Sequence, residues 1–168
     1  FFFKQKTAYE ITYGDWSSDV CSSDLDALDA ATKKEVQNLI CSHSQIYSRG
    51  ILGFDDFTDA ERIKWAPVRQ RLVRKHPTTG QLSLYLSSHA GGIEGWPMPE
   101  ARSFLRDLNE HATQREFAYA HVWRQWDLVL WDNRVTMHRA RRFDPKEVRD
   151  MRRTTLTNEV SSLEQGPN

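Results

Sequence analysis

WDLVLWDNRVTMHRARRFDPKEVRDMRRTTL, residues 126–156, is the stretch that decides how the chain is read. WDLVLWDN reads as a short, nearly all-apolar strand that closes on an Asp132-Asn133 turn. RVTMHRA reads as the strand that follows. The period of two places Arg134, Thr136, His138 and Ala140 on one face, with Val135 and Met137 on the other. DMRRTTL reads as a last strand, on which Arg149, Met151, Arg153 and Thr155 share a face and the two arginines stand roughly 13 Å apart. Spacing alone makes His138 a hydrogen-bonded core histidine, because one imidazole is not a metal site. By the same standard Arg149 and Arg153, interrupted by Arg152, are a solvated basic edge strand.

Working outward, EFAYAHVWR (116–124) alternates as a strand, with Phe117, Tyr119, His121 and Trp123 on one face. Before it, Pro99 suits the first turn of a helix whose buried stripe is Ala101, Phe104, Leu105 and Leu108. HAGGIEGWP (89–97) reads as a loop. RLVRKHPTTGQLSLYLSS (71–88) reads as a hairpin around a Thr-Thr-Gly turn, in which Leu82, Leu84 and Leu86 alternate with Ser83, Tyr85 and Ser87. Gly50 and Gly53 open another loop. DALDAATKKEVQNLICSHSQIYS (26–48) reads as one helix with Asp26 or Asp29 as its cap and Val36, Leu39 and Ile40 as its apolar stripe, on which Cys41 is packed. Short strands with two helices point to a mainly β, α+β fold: part of a β-sandwich or jelly roll. Residues 158–168 read as a loose tail.

Composition narrows the function classes. Twenty-three Lys and Arg balance 23 Asp and Glu, so charge makes no case for nucleic acid or a membrane surface as partner. No apolar run approaches membrane-spanning length. The opening FFFKQKTAYEITYGDWSSDVCSSDL (1–25) has neither the uninterrupted apolar stretch of a secretory signal nor the acid-poor character of a transit peptide. It resembles a sequencing-library adapter translated in frame, and is expected not to fold. Outside it Cys41 is the sole cysteine, which rules out an internal disulfide among residues 26–168 and makes a reducing, cytoplasmic setting the default.

WDNRVTMH, followed eleven residues on by Arg149 and four later by Arg153, resembles the C-terminal signature of the taurine dioxygenase/2,4-dichlorophenoxyacetate dioxygenase (TauD/TfdA) family. RKHPTTGQLSLYL, HAGGIEGWPMPEAR and HATQREFAYAHVW extend the likeness over nearly all of residues 26–156. The wording of HATQREF and HRARRFD is nearer the dichlorophenoxyacetate branch. The resemblance implies an oxygenase that uses Fe(II) and 2-oxoglutarate on a double-stranded β-helix, with residues 26–157 as the C-terminal part of that domain. It implies that His138 is the distal histidine of an iron triad of two histidines and a carboxylate. Arg149 would hold the far carboxylate of 2-oxoglutarate through its planar fork, and Arg153 would meet a carboxylate or sulfonate of the substrate. His76 would border the substrate cavity, although a turn histidine is the plainer reading, and Trp126 and Trp131 are core or cavity wall. The implied partners are a small anionic substrate and dioxygen, with a homo-oligomer as an option.

The family's other two iron ligands form an H-x-D motif. None of His43, His76, His89, His111, His121 and His138 has Asp or Glu two positions later. The expectation is that the motif lies upstream of residue 26 in a longer parent enzyme. That parent would oxidise a small anionic substrate with release of succinate and carbon dioxide, while these 168 residues alone are inactive. The same fold leaves open a non-catalytic jelly roll that binds a small molecule, and a structural fragment with no small-molecule site.

Overall fold

A computed structural model describes residues 9–13, 23–140, 144, 146, 150–156 and 161–165. In chain order its elements are β1 (Tyr9–Tyr13), α1 (Ser23–Ala27), α2 (Ala30–Val36), β2 (Ile40–His43), α3 (Gln45–Ile51) and α4 (Asp59–Lys64). There follow β3 (Val68–Arg71), β4 (Val73–Lys75), β5 (Leu82–Leu84), β6 (Ala90–Ile93) and α5 (Met98–Ala112). A 3-10 turn (Arg115–Phe117), β7 (Ala118–Val122), β8 (His138–Ala140) and a second 3-10 turn (Ser162–Gln165) complete the described chain. All strand pairs are antiparallel: β7-β1-β8, β3-β2-β6 and the hairpin β4-β5.

The hairpin is as expected. Val73 faces Leu84 and Lys75 faces Leu82, and Gly80 takes the positive φ of +75° that the tight return requires. The helix after Pro97 is also as expected. Its Ala101, Leu105, Leu108 and Ala112 are buried, and they pack with Val36, Cys41, Leu72, Val73, Leu84 and Ile93 into the main core. Each fully buried aliphatic side chain in such a core contributes roughly 1.5–3 kcal/mol.

The helix expected over residues 26–48 is divided into the end of α1, α2 and the start of α3, with a strand between the last two. Asp29 does cap α2, its carboxylate accepting from the N–H groups of Ala31 and Thr32, but β2 then claims Ile40–His43 between β3 and β6. Cys41 is therefore buried on a strand and not on a helical stripe. Burial pushes its thiol up to about 12, which leaves it unreactive. Gly50 lies within α3 and does not begin the loop. The polar stretch after it holds α4, signalled by a capping box of Thr58 and Glu61.

HAGGIEGWP is not wholly a loop, because Ala90–Ile93 form β6, buried throughout. The glycines hide the strand signal, since they serve close packing here: a Cβ on Gly91 would lie 2.6 Å from the Tyr47 ring. The strands expected at WDLVLWDN, RVTMHRA and DMRRTTL shrink to β8 alone. Asp132 ends the extended run by accepting backbone hydrogen bonds from Val135 and Thr136 at its carbonyl, so the shared face expected for Arg134, Thr136 and His138 does not exist. Residues 150–156 form no strand, and the face expected for Met151, Arg153 and Thr155 is absent with it.

Both ends of the described chain also depart from expectation. Tyr9–Tyr13, expected to stay outside the fold, pairs with Ala118–Val122 on one side and His138–Ala140 on the other. YEITY is rich in β-branched and aromatic residues, and that composition suits a strand. The tail is not loose at residues 161–165. Ser162 is fully buried, its hydroxyl accepts from Arg71 N–H at 3.0 Å and it donates to Gln70 Oε1.

Candidate functional site

The turn that ends at β8 is built by Asp132. Its carbonyl accepts from the Thr136 hydroxyl at 2.7 Å. Its carboxylate accepts from Arg134 N–H at 2.8 Å and from Arg134 Nε at 2.8 and 2.9 Å. The second carboxylate oxygen also faces His76 Nε2 at 3.3 Å. Burial pushes this carboxyl up, but the Arg134 hydrogen bonds and charge, with His76, outweigh it and hold the group at about 2. Trp131, buried in a small cluster with Trp123, Val129 and Met151, donates its indole N–H to Asn133 Oδ1 at 2.8 Å. The Trp131 ring lies 4.8 Å from the His138 ring.

His138 therefore begins β8 with its ring backed by Trp131 and the preceding turn fixed by Asp132. Burial, and then the charge of Arg153, hold its imidazole below the ordinary value. That keeps it neutral near pH 7, the form that ligates a metal. The structure thus brings His138 and Arg153 into one electrostatic neighbourhood, while Arg149 lies outside the described residues. Among the described residues, no three His, Cys, Asp or Glu side chains gather as metal ligands. One imidazole cannot supply a facial triad, so the described donor set alone falls short of an iron centre.

His76 is the turn histidine of the plainer reading. Its Nδ1 accepts from the N–H groups of Thr78 and Thr79 at 3.3 and 3.1 Å, which locks the hairpin turn. With Nδ1 unprotonated, Nε2 carries the hydrogen and donates it to Asp132. Trp131 is core, whereas Trp126 is largely exposed and has a φ of +77°.

Residues that the sequence reading passed over extend the site. Arg74 is buried in β4, and its guanidinium lies 4.3 Å over the Tyr85 ring. Burial pulls it below its ordinary value, with Tyr85 and Asp132 opposing and Arg134 adding to the effect. Tyr85 in turn contacts His43, whose Nδ1 lies 3.1 Å from Ser87 Oγ. Burial, then the charges of His89 and Arg74, hold His43 at about 4, so it is neutral near pH 7. The Ser48 hydroxyl donates to Gln45 C=O, so His89 Nδ1–H donates to Ser48 Oγ at 2.7 Å when that imidazole is neutral. A hollow of about 350 Å³ opens beside this layer, lined by His43, Tyr85, Ser87, His89, Lys64 and Trp65. Among the described residues no carboxylate lines it.

Among the described residues, antiparallel sheets, five short or medium helices and a partly buried arginine–aspartate–histidine layer beside a neutral histidine describe an α+β domain with a polar site. A family model described as taurine catabolism dioxygenase TauD, TfdA family matches residues 21–155. The chain belongs to that family. It is 42% identical over 135 residues to an alpha-ketoglutarate-dependent 2,4-dichlorophenoxyacetate dioxygenase of Cupriavidus pinatubonensis, covering 80% of this chain and 47% of that protein. It is 37% identical over 141 residues to an (S)-phenoxypropionate/alpha-ketoglutarate-dioxygenase of Delftia acidovorans, covering 78% and 48%. A solved structure of AAD-2 with Mn(II) and N-oxalylglycine matches with a TM-score of 0.87 at 48% identity, over 96% of this chain and 64% of that one. The chain spans about half the length of the curated relatives it matches.

Proposed function

We propose that this chain is the C-terminal part of an Fe(II)- and 2-oxoglutarate-dependent dioxygenase with a double-stranded β-helix, acting on a small carboxylate or sulfonate. The observation that carries the reading is the neutral His138 at the head of β8, within the electrostatic reach of Arg153. In this assignment His138 is one iron ligand, and iron, when bound with the two missing ligands, supplies the oxidation that 2-oxoglutarate and dioxygen drive. Arg149 grips the far carboxylate of 2-oxoglutarate with two parallel hydrogen bonds. Arg153 attracts the acidic group of the substrate and disfavours protonation of His138, which keeps the imidazole lone pair available. Asp132 and Trp131 hold the ring in place. The names of two relatives favour an aryloxy acid as substrate.

The test uses a gene product that carries this segment together with an upstream H-x-D motif. Arg149→Ala is expected to raise the KM for 2-oxoglutarate roughly a hundredfold, the loss of one charged, bidentate contact. An unchanged KM overturns the assignment. The 168-residue chain supplied with iron and 2-oxoglutarate is expected to release no succinate, and release would overturn the argument that two ligands are missing.

A further inference from the structure

Away from His138, the helix α4 turns one side fully to water. Positions 59, 60, 63 and 64 follow the spacing i, i+1, i+4, i+5 that shares one side of a helix. Asp59, Ala60, Ile63 and Lys64 are all exposed there, Ile63 by 79%. The other side packs inward. Glu61 and Trp65 are half-buried, and Trp65 meets the Phe57 ring edge-on at 5.8 Å. Arg62 lies 5.9 Å over the same ring and donates to Asp55 C=O at 3.3 Å. In the chain leading into α4, Ile51, Leu52 and Phe54 are 64, 78 and 56% exposed. Among the described residues, neither Asp59 nor Lys64 closes an ion pair.

We infer that this side of α4 is the twofold interface of a homodimer, its occupant a second copy of this chain. The order of the side chains selects that occupant. When two α4 helices lie antiparallel across a twofold axis, Asp59 meets the partner's Lys64 and Ala60 meets the partner's Ile63. Opposite charges then face each other at both ends of the contact. In the middle, a small side chain leaves the room that a large one fills. The antiparallel arrangement also sets the two helix dipoles in opposition, which favours the pair. A six-residue helix is only about 9 Å long, well short of the roughly 800 Å² per partner that a stable complex buries. Ile51, Leu52 and Phe54 supply further apolar surface, and the association is expected to be roughly micromolar.

Light scattering and sedimentation follow the 168-residue chain from dilute solution to about 200 µM. The mass is expected to rise to that of two chains. Ile63→Glu is expected to hold it at one chain and to leave the thermal midpoint within about 1 °C, because that side chain already faces water. Asp59→Lys sets like charges together at both ends of the contact and is expected to weaken the dimer roughly tenfold. Asp59→Lys/Lys64→Asp restores opposite charges and is expected to bring the affinity back to within about threefold of wild type. If these substitutions acted only within α4, the double variant would be the worse one, since both new charges oppose the helix dipole. A chain that stays single at about 200 µM, a dimer that persists in Ile63→Glu, or a swap that does not rescue overturns the inference. So does a longer gene product with an upstream H-x-D motif that is monomeric and has its α4 amides protected from exchange, which would assign the face to the upstream chain. None of these readouts uses iron or 2-oxoglutarate, so a dimer that releases no succinate would refute the proposed function and leave this inference standing.

Discussion

Asp132→Asn isolates what the carboxylate charge does for the turn before β8. The carboxyl sits at about 2 in the folded protein against an ordinary 3.8. Each tenfold change in proton affinity is worth about 1.4 kcal/mol, which bounds the contribution at about 2.4 kcal/mol. The side chain is 34% exposed, so solvent screening brings the expectation to about 1–1.5 kcal/mol at pH 7. The folded value is depressed, so the stabilisation is complete above pH 4 and is lost as pH falls toward 2. At pH 3 roughly half should remain, because the unfolded carboxyl is already mostly protonated while the folded one is still ionised. Urea unfolding of wild type and variant at pH 7 and pH 3 measures both numbers. A difference below about 0.3 kcal/mol at pH 7, or one that does not shrink at pH 3, would show that the charge does not hold the turn.

Gly91→Ala should destabilise the fold by about 1–3 kcal/mol in the same assay, since the added methyl meets the Tyr47 ring well inside contact distance. Thr58→Ala should cost about 1 kcal/mol or less and loosen α4 in amide exchange, because it removes the hydroxyl that caps Glu61 N–H at 3.3 Å. In a Cys21→Ser background, Cys41 should react with a thiol reagent orders of magnitude more slowly in native buffer than in urea, and fast native labelling would contradict its burial.

How much of this was legible in sequence depended on whether a residue's role was local. The β4-β5 hairpin and α5 declare themselves by period and by Thr-Thr-Gly and Pro signals that act within a few residues. The β2 strand does not, because AATKKEV and QIYSRGI on either side both read as helix and only pairing with distant β3 and β6 extracts Ile40–His43 from between them. β6 was hidden for the opposite reason, since Gly91 and Gly92 weaken any strand pattern while permitting the packing that makes one. At the site, His138, Arg149 and Arg153 were found through their resemblance to a family signature. Arg74, Tyr85, His43 and His89 were missed because their partnership is tertiary: 4.3 Å and 5.2 Å ring contacts join β4 to β2 through the segment after β5. The Asp132 turn carried a signal that was misread. WDN reads as a turn between strands, where the Asp132 side chain and carbonyl instead gather Arg134, Val135 and Thr136.

The anchoring of Ser162 has a consequence for solubility. Among the described strands β3 pairs only with β2, so its outer side offers unpaired N–H and C=O groups of the kind that recruit another chain. Ser162 takes up the Arg71 N–H from that side and the short turn around it lies over β3 and β4. Residues 161–165 thus work as a guard against edge-to-edge aggregation. A chain cut before Ser161 should keep its core but lose colloidal stability, and a C-terminal affinity tag belongs beyond Gln165.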